Sequence, residues 1–253
     1  MVEQINKANI ERHARHIMLK EIGGHGQKLI ANSTIAIIGV GGLGCPCALY
    51  LAAAGVGKLI LIDDDVVDLS NLQRQILFKT SDIGRPKVIA AQEALNAIDG
   101  DIEIIAVKER INGQNANELL ANADIIIDGS DNFKTRFLIN KTAYDLKKVL
   151  VSGALGRFDG QVAAFDFSDP QSPCYQCFVP DTPPIEEDCN ILGVVGAICG
   201  IIGALMALET IKIITKNRET SLLGRILLYD GLKAQSRTLN IPKDRNCNTC
   251  GHH

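Results

Sequence analysis

Apolar positions change their period several times along the chain, and each change marks an element. Ile10, Ala14, Ile17 and Met18 recur at helical intervals within residues 6–19, and Gly23-Gly24 closes that stretch, which predicts an N-terminal helical arm. From Thr34 an α/β alternation sets in: the apolar run 34–38, a glycine turn, a small-residue helix through Ala54 and a second apolar run 58–62. The same rhythm predicts helices over 86–98, 114–121 and 134–146, and strands over 101–107, 124–127 and 148–152. Apolar strands separated by helices belong to a parallel sheet with crossover connections.

Beyond Gly153 the rhythm breaks. A strand over 161–167 gives way to a proline- and cysteine-rich loop over 169–190, an uncharged run over 191–208, strands over 225–229 and 235–239, and a cysteine-bearing tail. The uncharged run approaches the length of a membrane span. Its four glycines (Gly193, Gly196, Gly200, Gly203), the immediate Glu209 and Lys212, and the lack of aromatic anchors instead place it in a core or a subunit interface, where glycines permit close approach. No repeat or linker divides the chain. The expected architecture is one α/β domain over 1–253: a helical arm (1–32), a Rossmann-like, doubly wound, mostly parallel nucleotide-binding core (33–153), and an extension (154–253) with later antiparallel strands, a crossover loop and a zinc site.

Charge narrows the function. With 26 basic against 29 acidic residues the net charge is -3, so no strong field points to DNA or an anionic membrane. The first residues lack the apolar stretch of a signal peptide, and a cytoplasmic location is expected. In a reducing compartment eight cysteines suggest metal or chemistry before disulfides.

The glycine turn reads Gly39-Val40-Gly41-Gly42-Leu43-Gly44, a Gly-x-Gly-x-x-Gly between strand and helix, where backbone N–H groups and a helix N-terminus meet phosphate oxygens. Asp63 closes the second strand, as an acid does that accepts hydrogen bonds from ribose hydroxyls. Taken alone, these features describe a dinucleotide enzyme. The residues after Asp63 do not suit that reading. Arg74 and Lys87, with Arg85 beside them, could converge on a polyphosphate, and Asn71 could add a neutral hydrogen bond. Asp131 comes after the strand 124–127 at the end where α/β ligands sit, and an acid beside phosphates is a natural Mg²⁺ ligand. No Gly-x-x-x-x-Gly-Lys-Ser/Thr occurs, which argues against a P-loop NTPase.

These residues carry a resemblance to the E1-like activating enzymes of the MoeB and ThiF group. The matching features are Arg12-x-x-Arg15, Gly-x-Gly-Gly-Leu-Gly, Asp63-x-Asp65, Ser70-Asn-Leu-Gln-Arg-Gln75, Arg85-Pro-Lys87, Ser130-Asp-Asn132 and two Cys-x-x-Cys pairs, spread over nearly the whole chain in a specific order. The resemblance implies ATP, Mg²⁺ and a ubiquitin-like partner ending in Gly-Gly, whose carboxylate attacks the α-phosphate to give an acyl-adenylate and pyrophosphate. Gly42, Asp63, Ser70, Asn71, Arg74, Lys87, Asp131 and Asn132 match the family's nucleotide-site positions, and with Gly39, Gly41 and Gly44 of the loop and Asp65, Leu72 and Gln73 of the matching motifs they make up the expected nucleotide site. In family terms Asp63 holds the ribose, Arg74 and Lys87 the phosphates, and Asp131 the metal. Arg15 matches an arginine that such homodimers extend to the other subunit's ATP. No general base is needed, because a carboxylate is already ionised at neutral pH.

Cys174-x-x-Cys177 and Cys247-x-x-Cys250 form two pairs of the kind that give four thiolates to a structural Zn²⁺. Cys189 stands alone in the polar loop Glu186-Glu187-Asp188-Cys189-Asn190, at the position of the cysteine that in some relatives attacks the adenylate or enters sulfur exchange. Cys45, Cys47 and Cys199 are expected to be packing residues. The function expected first is adenylation of a sulfur-carrier protein of molybdopterin or thiamine synthesis, with a separate sulfur donor. Adenylation of a modified tRNA base carboxylate and a non-catalytic partner subunit are the alternatives.

Overall fold

The computed structural model describes residues 7–180 and 193–251. The helices are α1 (Lys7–Arg12), α2 (Ala14–Ile17), α3 (Gly23–Ala31), α4 (Gly44–Ala53), α5 (Lys87–Asn96), α6 (Ala116–Leu120), α7 (Phe133–Asp145), α8 (Tyr175–Phe178) and α9 (Gly196–Ile214). The strands are β1 (Thr34–Ile38), β2 (Lys58–Ile62), β3 (Glu103–Val107), β4 (Ile125–Asp128), β5 (Val149–Gly156), β6 (Asp159–Asp166), β7 (Arg225–Asp230) and β8 (Gln235–Asn240).

They form one sheet in the order β3-β2-β1-β4-β5-β6-β7-β8. The first five in that order run parallel, and β5 to β8 pair antiparallel. The expected mixed α/β sheet is therefore present. Strands β1 and β4 are adjacent although two crossover units separate them in sequence, and this reversal of strand order opens a crevice at their carboxyl ends.

Alternating side chains of the sheet feed two cores. One joins Ile30 of α3, Leu51 of α4, Leu95 of α5 and Met206 of α9; the other joins Leu120 of α6, Ile139 of α7 and Tyr175 of α8 to the cysteine lobe. The long apolar helix packs against α4, β5 and β6 as a core helix. Its small residues let it do so: a Cβ on Gly203 would stand 2.6 Å from the Leu43 carbonyl oxygen. Glu209 and Lys212 lie inside the helix, because the Glu209 carboxylate is satisfied by Lys212 at 2.6 Å and by the Leu222 N–H at 2.7 Å.

Two boundaries differ from the sequence reading. The glycine pair expected to close the arm instead opens α3: Gly23 takes φ +60°, and Gly26 fits between Ile22 and Thr215. Strand β5 runs on to Gly156 because it pairs with β6 through a two-residue turn at Arg157-Phe158, where alternation alone ends it at Ser152.

Candidate nucleotide site

The glycine loop leaves β1 and enters α4 with almost no spare room. Gly39 adopts φ +84°, and a Cβ on Gly44 would stand 2.0 Å from the Gly39 carbonyl oxygen, so the helix N-terminus is drawn tightly over the strand end. Around this loop a cavity of about 660 Å³ opens. Gly39, Gly41, Gly42, Asp63, Asp65, Ser70, Asn71, Arg74, Lys87, Asp131 and Asn132 all line it.

Asp63 is half-buried at the end of β2, where its carboxylate accepts the N–H of Val40 at 2.7 Å and of Asp65 at 2.8 Å. Burial pushes its carboxyl above the ordinary value, while Lys87 and the two N–H donors pull the other way. The Lys87 ammonium is buried and lies 2.8 Å from the exposed carboxylate of Asp65. Arg74 reaches the carbonyl oxygen of Ser70 at 3.0 Å, within a turn that Asp68 caps by accepting the Ser70 N–H at 2.8 Å. Asn132 caps α7 by accepting the Thr135 N–H at 2.9 Å, and its amide approaches Asp131 at 3.3 Å. Cations thus stand on one side of the glycine loop and the Asp131 carboxylate on the other.

Other expected residues lie elsewhere. Gly44 stands behind the loop, Leu72 packs on the core, and Gln73 faces away, its carbonyl close against Gly196. Arg85 pairs with Asp82 at 2.9 Å and Glu93 at 2.5 Å and does not line the cavity. Arg15 is exposed on α2, also away from the cavity. Cys189 lies outside the described residues. The thiols of Cys45 and Cys47 are fully buried, and burial pushes both far above the ordinary thiol value, as inert packing groups require.

Sequence reasoning gave no role to four residues at this site. Gln75 is buried in the cavity wall, and its amide oxygen has no protein partner. Asp128, Arg136 and Ser152 form a buried polar cluster beneath the Asp131 turn. A lone acid in a strand and a lone base in a helix give no signal in a sequence.

On the α7 side of the sheet the four expected cysteines meet. Cys174 and Cys247 sulfurs are 3.5 Å apart, Cys177 and Cys250 3.4 Å, and Cys174 and Cys177 4.0 Å. A disulfide needs about 2.05 Å. Sulfurs at about 2.3 Å from a tetrahedral Zn²⁺ stand about 3.8 Å apart, so the cluster fits the ion. The N–H groups of Cys174 and Asp244 each donate to the Cys177 sulfur at 3.4 Å, which favours a thiolate there. The Cys174 thiol, together with these N–H groups, pulls Cys177 down to about 5.

The fold and the cavity define an α/β protein with a candidate nucleotide site, in which a glycine loop, two cations and a strand-end acid converge at the switch point of the sheet. The ThiF family profile matches residues 13–250, and the chain belongs to that family. It is 41% identical to the sulfur carrier protein ThiS adenylyltransferase of Escherichia coli K12, over 98% of this chain and 97% of that protein. It is 39% identical to the sulfur carrier protein adenylyltransferase of Thermus thermophilus, over 97% and 92%. The adenylyltransferase and sulfurtransferase MOCS3 of Dictyostelium discoideum is 42% identical, and the chain spans 57% of its length. The crystal structure of E. coli MccB matches with a TM-score of 0.83 at 22% identity, over 100% of this chain and 75% of that one, which establishes the E1-like fold.

Proposed function

We propose that this protein transfers AMP from ATP to the C-terminal carboxylate of a small ubiquitin-like sulfur-carrier protein ending in Gly-Gly, in molybdopterin or thiamine synthesis. One observation carries the reading beyond nucleotide binding. A second cavity, of about 600 Å³, lies along the antiparallel strands and is lined by Gln161, Tyr229 and Arg237; it shares Ala154 and Leu155 with the nucleotide cavity. The two cavities adjoin at these residues, so an extended tail laid along the sheet extension would point towards the glycine loop, and a tail of glycines has no side chain to obstruct it. The sulfur-carrier adenylyltransferases among the relatives support the same substrate class.

In this reading Asp63 accepts hydrogen bonds from the ribose, the loop N–H groups and Asn71 meet phosphate oxygens, and Arg74 and Lys87 offset their charge. Asp131 would hold Mg²⁺, which lowers the repulsion between carboxylate and triphosphate when bound. A carboxylate oxygen then bonds to the α-phosphorus as the bond to the pyrophosphate oxygen breaks, and no proton has to be removed. Arg15, exposed and remote from its own cavity, would serve the second subunit of a homodimer. An apolar groove between α9 and β7, with Ile201 and Leu208 exposed, supports such pairing. Cys189 would be the acceptor for later acyl or sulfur transfer, and a separate donor would supply sulfur.

The test is carrier-dependent exchange of labelled pyrophosphate into ATP. Asp131→Ala should lower it by about a hundredfold or more, given what loss of one electrostatic stabiliser costs. Exchange at the wild-type rate would remove Asp131 from the site.

A further inference from the structure

Asp128 ends β4, and its carboxylate is buried at 1% exposure. One oxygen accepts the N–H of Ser130 at 3.0 Å and its hydroxyl at 2.6 Å; the other accepts the Ser152 hydroxyl at 3.1 Å and lies 3.5 Å from the Arg136 guanidinium. Arg136, buried in the first turns of α7, donates to the Gly153 carbonyl at 2.7 Å, to the Ser152 hydroxyl at 3.3 Å and to the Ser130 carbonyl.

The place of this cluster matters more than its bonds. The parallel ladder between β4 and β5 ends at the pair Asp128–Ser152. Beyond it the two chains part: one becomes the turn carrying Asp131, and the other becomes Ala154 and Leu155, which line both cavities. There the Asp128, Arg136 and Ser152 side chains tie the two segments together. A buried ion pair is seldom the most stable way to fill a core, since apolar groups of the same volume often do as well. This one touches both lines along which substrates approach.

Resting on the adenylation reading, we propose that Asp128 and Arg136 are a positioning pair. They set the spacing between the Asp131 turn and the tail-bearing segment of β5, so that nucleotide and carboxylate meet in line. Asp128 lies behind the cavity wall and Arg136 is part of that wall, but both side chains are spent on groups of these two segments and act through the segments they hold. Such attack tolerates little error, and a misplacement of about 1 Å costs about a hundredfold in rate.

The experiment uses the full-length protein with Arg136→Lys, Asp128→Asn and the double variant Asp128→Asn with Arg136→Met. Three quantities are read: melting temperature, Mg²⁺-dependent binding of ATP without carrier, and kcat and KM for carrier-dependent pyrophosphate exchange. Arg136→Lys keeps the charge but loses the fork; it should fold, retain its KM for carrier, and lose about a hundredfold in kcat. Asp128→Asn should raise the Mg²⁺ needed for half-maximal ATP binding by about tenfold, as loss of an outer-shell partner does. The double variant removes both charges together, so its melting temperature should recover towards wild type while kcat does not. Recovery of kcat along with the melting temperature would show a merely structural pair and overturn the proposal, as would an unchanged Mg²⁺ requirement in Asp128→Asn. If wild type shows no exchange with any carrier, the adenylation reading fails, and the Mg²⁺ titration still decides whether the pair positions Asp131.

Discussion

The Lys87 ammonium is buried beside a carboxylate that is largely in solvent, an asymmetry that leaves the lysine fixed and the aspartate free to move. A nucleotide's phosphates can displace Asp65 without a search for the lysine's position. Lys87→Met should therefore weaken ATP binding strongly and Asp65→Ala only slightly, which a nucleotide titration reads directly; equal losses would contradict this. His13 makes a different prediction. Burial lowers its imidazole below the ordinary value, against the pull of the Asp99 carboxylate; His16 and Arg12 also face it. Above about pH 6.5, the ordinary histidine value, its contribution to stability is whole. As pH falls below that, the unfolded chain takes the proton first and stability is lost. Melting temperature should fall from pH 7 to pH 5, and less steeply in His13→Gln; parallel curves would contradict the assignment. The arm's helical spacing was visible in the sequence, but the burial of His13 was not, because it depends on Gly55 and Asp99 arriving from elsewhere in the chain. The same holds for Gln75 and the Asp128–Arg136 pair, whose roles exist only once the strand ends are side by side.

The elements that could be read most fully from the sequence are those with local causes. Strand β1, the glycine loop and α4 follow from an apolar run, residues able to take positive φ and a helix of small side chains. Gly44→Ala should destabilise the fold by about 3 kcal/mol through the clash with the Gly39 carbonyl, measurable by denaturant unfolding. The two Cys-x-x-Cys pairs were equally legible, since each makes its own hairpin of ligands. The purified protein should contain one zinc per chain, and a strong chelator should lower its melting temperature; a metal-free protein of equal stability would contradict the site. Less was legible where elements depend on neighbours. Helix α3 begins at the glycines that read as a stop, and β5 gains its last four residues only from pairing with β6.

For the molecule as a whole, the switch point of the sheet explains why residues from Gly39 to Asp131 meet in one cavity, and the antiparallel extension carries the adjoining cavity along which the proposed second substrate would approach. The first half was legible as a strand-and-helix rhythm. The shared wall at Ala154 and Leu155 was not, because the sequence marks neither residue. If Arg15 serves the opposite subunit, mixtures of refolded Arg15→Ala and Asp131→Ala chains should regain about a quarter of wild-type exchange, since half the dimers are mixed and each holds one intact site. No recovery would place Arg15 outside the reaction. The central claim, adenylation of a carrier's terminal carboxylate, is tested most directly by mass spectrometry of small Gly-Gly-ending proteins incubated with the enzyme, ATP and Mg²⁺. The account predicts that one of them gains a single adenylyl group, and that its variant lacking the final glycine does not. ATP binding with no adenylylated carrier in the panel, or equal labelling of the truncated tail, would contradict it.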